Sequence, residues 1–113
     1  MSYKRGDVVL VDFPFVDRSG SKLRPALIVS STTYHTERPQ DVIVAVISTQ
    51  IQRYNGSTDY QIQDWKTAGL LQPSVLRSTI LTILATRISR KIGNLTDRDL
   101  QETSVRLKRA LQL

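Results

Sequence analysis

The run Val42-Ile43-Val44-Ala45-Val46-Ile47 constrains this chain more than any other stretch. Successive side chains of a strand point to opposite faces, so a strand with one face in water alternates apolar and polar residues. This run does not alternate. It is apolar on both faces and predicts a central strand covered from both sides. Other strands must therefore flank it.

Four further segments have the composition for that. Val8-Val9-Leu10-Val11-Asp12-Phe13 is β-branched and bounded by Gly6 and Pro14. Ala26-Leu27-Ile28-Val29 follows Pro25 and reads as a second strand. Thr58 to Ile62 is a candidate fourth, with Tyr60 and Ile62 on one face. Val75 to Ile88 is the longest β-rich stretch and predicts two strands or one strongly bent one. Polar segments separate them. Residues 14–22 hold Asp, Ser and Gly and predict an exposed loop. Ser30 to Asp41 predicts a second loop, carrying the only histidine, His35. Gln52 to Ser57 predicts a third, with Asn55-Gly56 as its turn signal.

The C-terminal end changes character. Gly93-Asn94-Leu95 breaks the strand pattern, and Thr96 is placed to cap a helix. Asp97 and Asp99 in the first turn, and Lys108 and Arg109 in the last, suit the helix dipole. Leu100, Leu107 and Leu111 mark an apolar face, and the helix is expected from about Asp97 to about Leu111. The predicted architecture is mainly β: a small curled sheet or barrel closed by one helix, a single domain over residues 1–113.

The chain has no cysteine, which removes disulfides, thiolate catalysis and thiolate metal sites and suits a reducing cytosol. No apolar run is long enough to span a membrane, and no signal-peptide pattern follows Met1. A cytoplasmic protein is expected. The formal net charge of +6 is unevenly spread. Residues 1–76 hold eight Lys/Arg against seven Asp/Glu, while residues 77–113 hold eight against three. A basic half of this kind attracts a polyanion.

Most chemistries lack their residues. There is no Gly-rich phosphate-cradling motif and no metal-ligand spacing. A Ser-His-Asp triad would have to use His35, whose plainer reading is a solvated loop histidine. No cofactor is expected. Hydroxyls and arginines remain: Arg24, held extended by Pro25; Ser48 and Thr49, where the central strand should reach the surface; and Arg77 and Thr79 in a later strand. Such groups can serve a phosphodiester whose own 2′-hydroxyl attacks, which is a property of RNA. The protein then aligns the attack and stabilises charge on phosphate, a task suited to the arginine fork. The plainer readings are a solvated Arg24, an Arg77 lying over apolar surface, and strand-end caps at Ser48 and Thr49. Trp65 reads as a packing residue.

The chain also resembles a known family. Lys4-Arg5-Gly6-Asp7-Val8, Leu23-Arg24-Pro25-Ala26-Leu27-Ile28-Val29 and Val42 through Ser48 look like the strands of MazF/PemK-type toxins. Asp64-Trp65-Lys66-Thr67-Ala68-Gly69-Leu70, Pro73-Ser74-Val75-Leu76-Arg77 and Ile92-Gly93-Asn94-Leu95 are similar to that family's C-terminal half. The resemblance implies an SH3-like barrel with a C-terminal helix, forming a homodimer. It implies a metal-independent endoribonuclease, an mRNA interferase that cuts single-stranded RNA at short sequences and arrests growth. Products with 2′,3′-cyclic phosphate and 5′-hydroxyl ends are implied. So is a cognate antitoxin whose disordered tail covers the RNA groove.

Arg24 matches the family's catalytic arginine. Ser48 stands where several members carry a catalytic threonine, and Thr49 is the alternate hydroxyl. Arg77 matches an arginine used by some PemK-type members. Those members place an aspartate where this chain has Thr79, and a first-loop histidine absent here, so an arginine-plus-hydroxyl scheme is expected. Candidate RNA contacts are Phe15, Asp17 and Lys22 in the first loop, Gln50 and Arg53 in the third, and Arg77 and Thr79. Two other functions fit the sequence: a CcdB-like gyrase-inhibiting toxin, and a non-catalytic nucleic-acid-binding module.

Overall fold

The central strand expected from Val42–Ile47 is β3 (Asp41–Ser48) in the computed structural model, which describes residues 2–13 and 23–113. Val44 and Ala45 point to opposite faces and are both 0% exposed, so β3 is covered on both sides as its composition requires. Its companions are β1 (Asp7–Asp12), β2 (Leu23–Ile28), β4 (Tyr60–Gln61), β5 (Val75–Leu84) and β6 (Ile88–Asn94). They form one antiparallel sheet in the order β4-β5-β3-β2-β1-β6.

The two faces carry separate cores. Val8, Leu27, Ala45, Ile47 and Leu76 pack with Tyr60, Ile62, Ala68, Leu70 and Leu95 on one. Val9, Val11, Ala26, Ile28, Val42 and Val44 pack with Phe13, Ile83 and Ile88 on the other. The alternation through β1, β2 and β3 is the period-2 pattern of the sequence. Strand β5 contributes to both cores, Leu76 to the first and Ile83 to the second, and it is bent between them. Ala45 pairs with Ile80 but Ile47 pairs with Leu76, so Val46 alone faces Arg77 to Thr79. A bulge of this kind bends a strand and re-aims its side chains. The stretch from Val75 to Ile88 is thus one bent strand, a 3-10 turn at Ala85–Arg87, and the start of β6.

The sheet curls until its ends meet. Residues following β4 run against β6, where Ala68-Gly69 abuts Ile92-Gly93. A Cβ on Gly69 would lie 2.0 Å from the Ile92 carbonyl oxygen, and one on Gly93 would lie 2.3 Å from that of Ala68. Two backbones approach this closely only where both side chains are absent, and Gly69 also has φ of +83°. Gly93 therefore belongs to β6 and closes the barrel, rather than only ending a strand pattern.

The C-terminal helix α2 (Asp97–Leu111) begins at its Thr96 cap, whose side chain accepts from the Asp99 N–H. Asp99 does more than favour the dipole. It is fully buried; Oδ1 accepts from the Tyr60 hydroxyl at 2.5 Å and the Gln63 N–H at 3.1 Å, and Oδ2 accepts from the Asp64 N–H at 2.8 Å. Burial, then the hydrogen bond to Asp99, push the Tyr60 hydroxyl well above the usual tyrosine range. The Thr96 hydroxyl donates to Asp64 at 2.7 Å and, aided by Arg98, holds that carboxyl below the usual aspartate range, burial opposing. These bonds latch the helix to the segment after β4.

Several expectations are corrected. The expected loop from Ser30 to Asp41 contains a short helix α1 (Thr32–Glu37), capped by Ser31, which takes the Tyr34 N–H at 3.2 Å. His35 is not a solvated loop residue: its Nε2 is 2.5 Å from the hydroxyl of buried Ser30, which also accepts from the Ile43 N–H on β3. The expected strand from Thr58 to Ile62 is cut to Tyr60–Gln61, because Gly56 and Asp59 form a turn just before it. Leu111 is 53% exposed and contributes no core contact, whereas Leu107 is buried. Trp65 is partly buried against the first core, in keeping with a packing role.

Candidate nucleic-acid site

Arg24 is the second residue of β2 and shares a face with Ala26 and Ile28, because strand side chains alternate. Towards the chain interior that face is core; at Arg24 it is exposed. Across β1 its partner is Val11. The next acid along β1, Asp12, is engaged by Arg87 at 3.6 Å. The ion pairs among the described residues take up Arg87, Lys91, Arg98 and Arg106, and none takes up Arg24, Arg53 or Arg77.

Ser48 ends β3. The β2–β3 ladder closes at Ala26↔Val46, and the same register carried to the strand ends sets Arg24 opposite Ser48, on one face. The half-buried Ser48 hydroxyl oxygen accepts from the Gln50 N–H at 3.1 Å. That bond uses a lone pair and leaves the hydroxyl proton to donate elsewhere. Thr49 goes the other way. It is exposed and lines a cavity of about 300 Å³ on the opposite face, shared with Leu23, Pro25 and Arg90. The two adjacent hydroxyls thus serve different surfaces.

After β3 the chain folds into a compact turn. The Gln50 carbonyl accepts from the N–H groups of Arg53 and Tyr54, at 3.1 and 3.2 Å, and the Gln50 side chain accepts from Arg53 at 3.4 Å. This brings Tyr54 up to the bulge of β5. The Arg77 guanidinium lies 3.9 Å from the Tyr54 ring centroid and that of Arg53 lies 5.2 Å from it. The Ser78 hydroxyl donates to the Thr58 carbonyl at 2.5 Å and pins the bulge beside Arg77. Thr79 is exposed on the same bulge.

Of the residues singled out from sequence, Arg24 and Ser48 lie at the ends of their strands just beyond the last β2–β3 pair, and Gln50, Arg53 and Arg77 gather around Tyr54. Thr49 opens onto the other face. Phe15, Asp17 and Lys22 lie outside the described residues. Tyr54 falls within the stretch Gln50 to Asn55 that the sequence offers for base contacts but is not singled out there; its signal is an aromatic inside a polar turn beside an arginine. Among the described residues, no group of three or more His, Asp or Glu is arranged to hold a metal ion, and no helix is long and apolar enough to cross a membrane.

Arg24 and Ser48 at strand ends, and Arg53 and Arg77 gathered at the Tyr54 ring after β3, are donors of the kind that suit a phosphodiester backbone. The comparisons with known proteins agree in kind. The model of a family described as PemK-like, MazF-like toxin of type II toxin-antitoxin system matches residues 4–111. No curated protein matches the sequence. Among solved structures, an endoribonuclease in complex with its cognate antitoxin from a mycobacterial species superposes with a TM-score of 0.78 at 21% identity, covering 99% of this chain and 97% of that one. The Mycobacterium tuberculosis toxin MazF-mt6 superposes at 0.76 with 23% identity, covering 95% and 97%. MazF from Deinococcus radiodurans superposes at 0.74 with 16% identity, covering 100% and 99%.

Proposed function

This chain belongs to the PemK-like, MazF-like toxins of type II toxin–antitoxin systems, and from that premise we propose that it is an endoribonuclease cutting single-stranded RNA with Arg24 and Ser48. The observation that carries the proposal is the β2–β3 register, whose last pair is Ala26↔Val46; extended by two residues it sets Arg24, which enters no ion pair among the described residues, opposite the half-buried Ser48. Neighbours of the same fold are described as endoribonucleases, one of them with its cognate antitoxin.

In this reading the 2′-oxygen of the RNA forms a bond to phosphorus and the bond to the 5′-oxygen breaks. The products are a 2′,3′-cyclic phosphate and a 5′-hydroxyl, the proton lost by one oxygen being regained by the other through solvent. No metal is needed in this scheme. The Arg24 fork holds the non-bridging oxygens, whose charge grows in the transition state. A guanidinium with a pKa above about 12 is a poor base, so its part is electrostatic. The Ser48 hydroxyl, its oxygen held by the Gln50 N–H, donates its proton to a phosphate oxygen. Arg77, Arg53 and Gln50 carry the flanking backbone, with Thr79 at its margin, and cleavage of mRNA in the cytoplasm arrests growth.

The partners follow from the same reading. A second copy of the chain packs on the apolar groove between the end of α2 and the sheet, lined by Val29, Ile43, Ile80 and Leu111. The antitoxin covers the arginine-lined site with an extended segment. The test is cleavage of a single-stranded RNA in the presence of a chelator, with ends mapped by their 5′-hydroxyls. Wild type should cut, and Arg24→Ala should lose roughly 10²–10³ in rate, the size of one transition-state contact. Arg24→Ala cutting at the wild-type rate overturns the assignment. Growth arrest that survives Arg24→Ala but is lost on replacing exposed Leu111 of α2 and Leu113 after it would instead mark a toxin acting through protein contact.

A further inference from the structure

The cavity on the back of the Arg24 strand end has no part in the scheme above. Its walls are apolar, formed by Leu10, Leu23, Pro25, Leu70 and Ile92, and polar groups sit only at particular points. Thr49 and Gln72 offer a hydroxyl and an amide, and Arg90 stands directly across β1 from Leu10. Neither the Thr49 hydroxyl, the Gln72 amide nor the Arg90 guanidinium is used in a hydrogen bond or ion pair among the described residues. The Ser74 hydroxyl is used, donating to the Gln72 carbonyl at 2.9 Å. Leu71, at the rim, is 95% exposed, which is unusual for a leucine in a well-packed domain.

We propose that this cavity receives one unpaired base of the RNA, next to the scissile phosphate, and that Arg90 reads its edge. The inference rests on the RNA-cleavage reading and adds a specificity determinant to it. Its basis is position. Leu23 and Pro25 flank Arg24 in sequence and point to the other face, and Thr49 directly follows Ser48. The cavity and the phosphate-facing pair are therefore two sides of the same strand ends. In a single strand, phosphates and bases leave the sugar backbone on different sides, and unpaired bases can be splayed out. A strand laid across these ends with its phosphate on Arg24 and Ser48 swings an adjoining base over the edge.

The chemistry of the cavity matches such an occupant. A base has apolar faces and a polar rim, and the walls are apolar with isolated donors. About 300 Å³ is at the small end of sites that hold one flat ring system. The Arg90 fork fits an edge that carries two acceptors, the pattern of guanine O6 and N7. A paired base could not enter, because its edge and faces are already covered.

The experiment uses a library of random single-stranded RNA, cut by wild type, Arg90→Ala and Arg90→Lys, with base frequencies tallied around every cut. Arg90 is exposed on an edge strand, so both variants should fold, which the thermal midpoint verifies. At one position beside the cut, Arg90→Ala should lower the preference for the favoured base roughly tenfold or more, the discrimination carried by a bidentate arginine contact. Arg90→Lys, which keeps the charge and loses the fork, should recover little of it. Preferences at other positions should persist. An unaltered profile in both variants overturns the proposal and leaves the cavity to a protein partner. Should the wild type cut nothing, the cleavage reading fails. The cavity is then judged by affinity for a fluorescent 2′-O-methyl oligonucleotide library: an Arg90→Ala affinity equal to wild type overturns it, and a selective loss of guanine-containing members supports it.

Discussion

The guanidinium of Arg77 lies 3.9 Å from the centre of the Tyr54 ring, although Arg77 belongs to a strand and Tyr54 to a turn 23 residues earlier in the chain. Arg77 sits on the bulge where three residues of β5 face one residue of β3, and Tyr54 ends the turn that leaves β3. The ring holds the cation by its negative face, without neutralising it. A phosphate can therefore still claim the guanidinium.

The first prediction concerns this stack. Tyr54→Phe retains the ring and should cleave a single-stranded RNA reporter within about twofold of wild type. Tyr54→Ala frees Arg77 to sample other rotamers, and an exposed cation–π contact of about 0.5–1 kcal/mol translates into a loss of roughly two- to fivefold in kcat/KM. Equal activities for Phe and Ala variants would remove the stack from the function.

The second separates the two hydroxyls. Ser48→Ala should cost roughly 10²–10³ in rate, and Thr49→Ala far less, because Ser48 shares a face with Arg24 and Thr49 does not. Ser48→Thr should keep full activity, since the added methyl fixes χ1. Single-turnover cleavage of one RNA by the three variants measures this. A Thr49→Ala loss as large as that of Ser48→Ala would reverse the assignment.

The third is structural. Tyr60→Phe removes a charge-assisted bond to buried Asp99, whose Oδ1 keeps only the Gln63 N–H, at a cost of about 1–3 kcal/mol. In a domain of this size each kcal/mol lowers Tm by roughly 4–8 °C. Calorimetry should find that drop with the RNA-cleavage rate per folded molecule unchanged.

The fourth is a pH dependence. The folded state holds the Asp64 carboxyl below its ordinary value through the Thr96 hydroxyl and Arg98. A carboxyl with a depressed folded pKa binds fewer protons when folded, so it stabilises at pH above its unfolded value of about 3.9. That stabilisation is lost as the pH falls through the lower folded value. Thermal unfolding of wild type and Asp64→Asn should differ at pH 6 and converge as the pH falls below the ordinary aspartate range. A constant difference across this range would show that the carboxylate charge plays no part.

Much of this fold can be read from local pattern. The unbroken apolar run of β3 demanded cover on both faces, and Val44 and Ala45 have it. The helix from Thr96 onwards was legible in its cap, its acidic first turn and its basic last turn, all of which act within a few residues. Ser30 to Asp41 reads as a loop because α1 is a helix of only six residues, too short for periodicity to declare itself. Its anchors, the Ser30 hydroxyl with His35 and with the Ile43 N–H, join residues brought together by the sheet.

By itself the sequence determined the strands of this protein, its capped helix, its basic C-terminal half and the residue types at its candidate site. Hydrophobic period, capping and charge are properties of neighbouring residues, so they survive in one dimension. Only the tertiary structure decided that Ser48 ends its strand on one face while Thr49 opens onto the other, that Tyr54 holds Arg77, and that Asp99 is a buried anchor. Strand register and a bulge are fixed by packing between segments far apart in the chain. A shift of one residue in the β3 register would turn Ser48 to the other face.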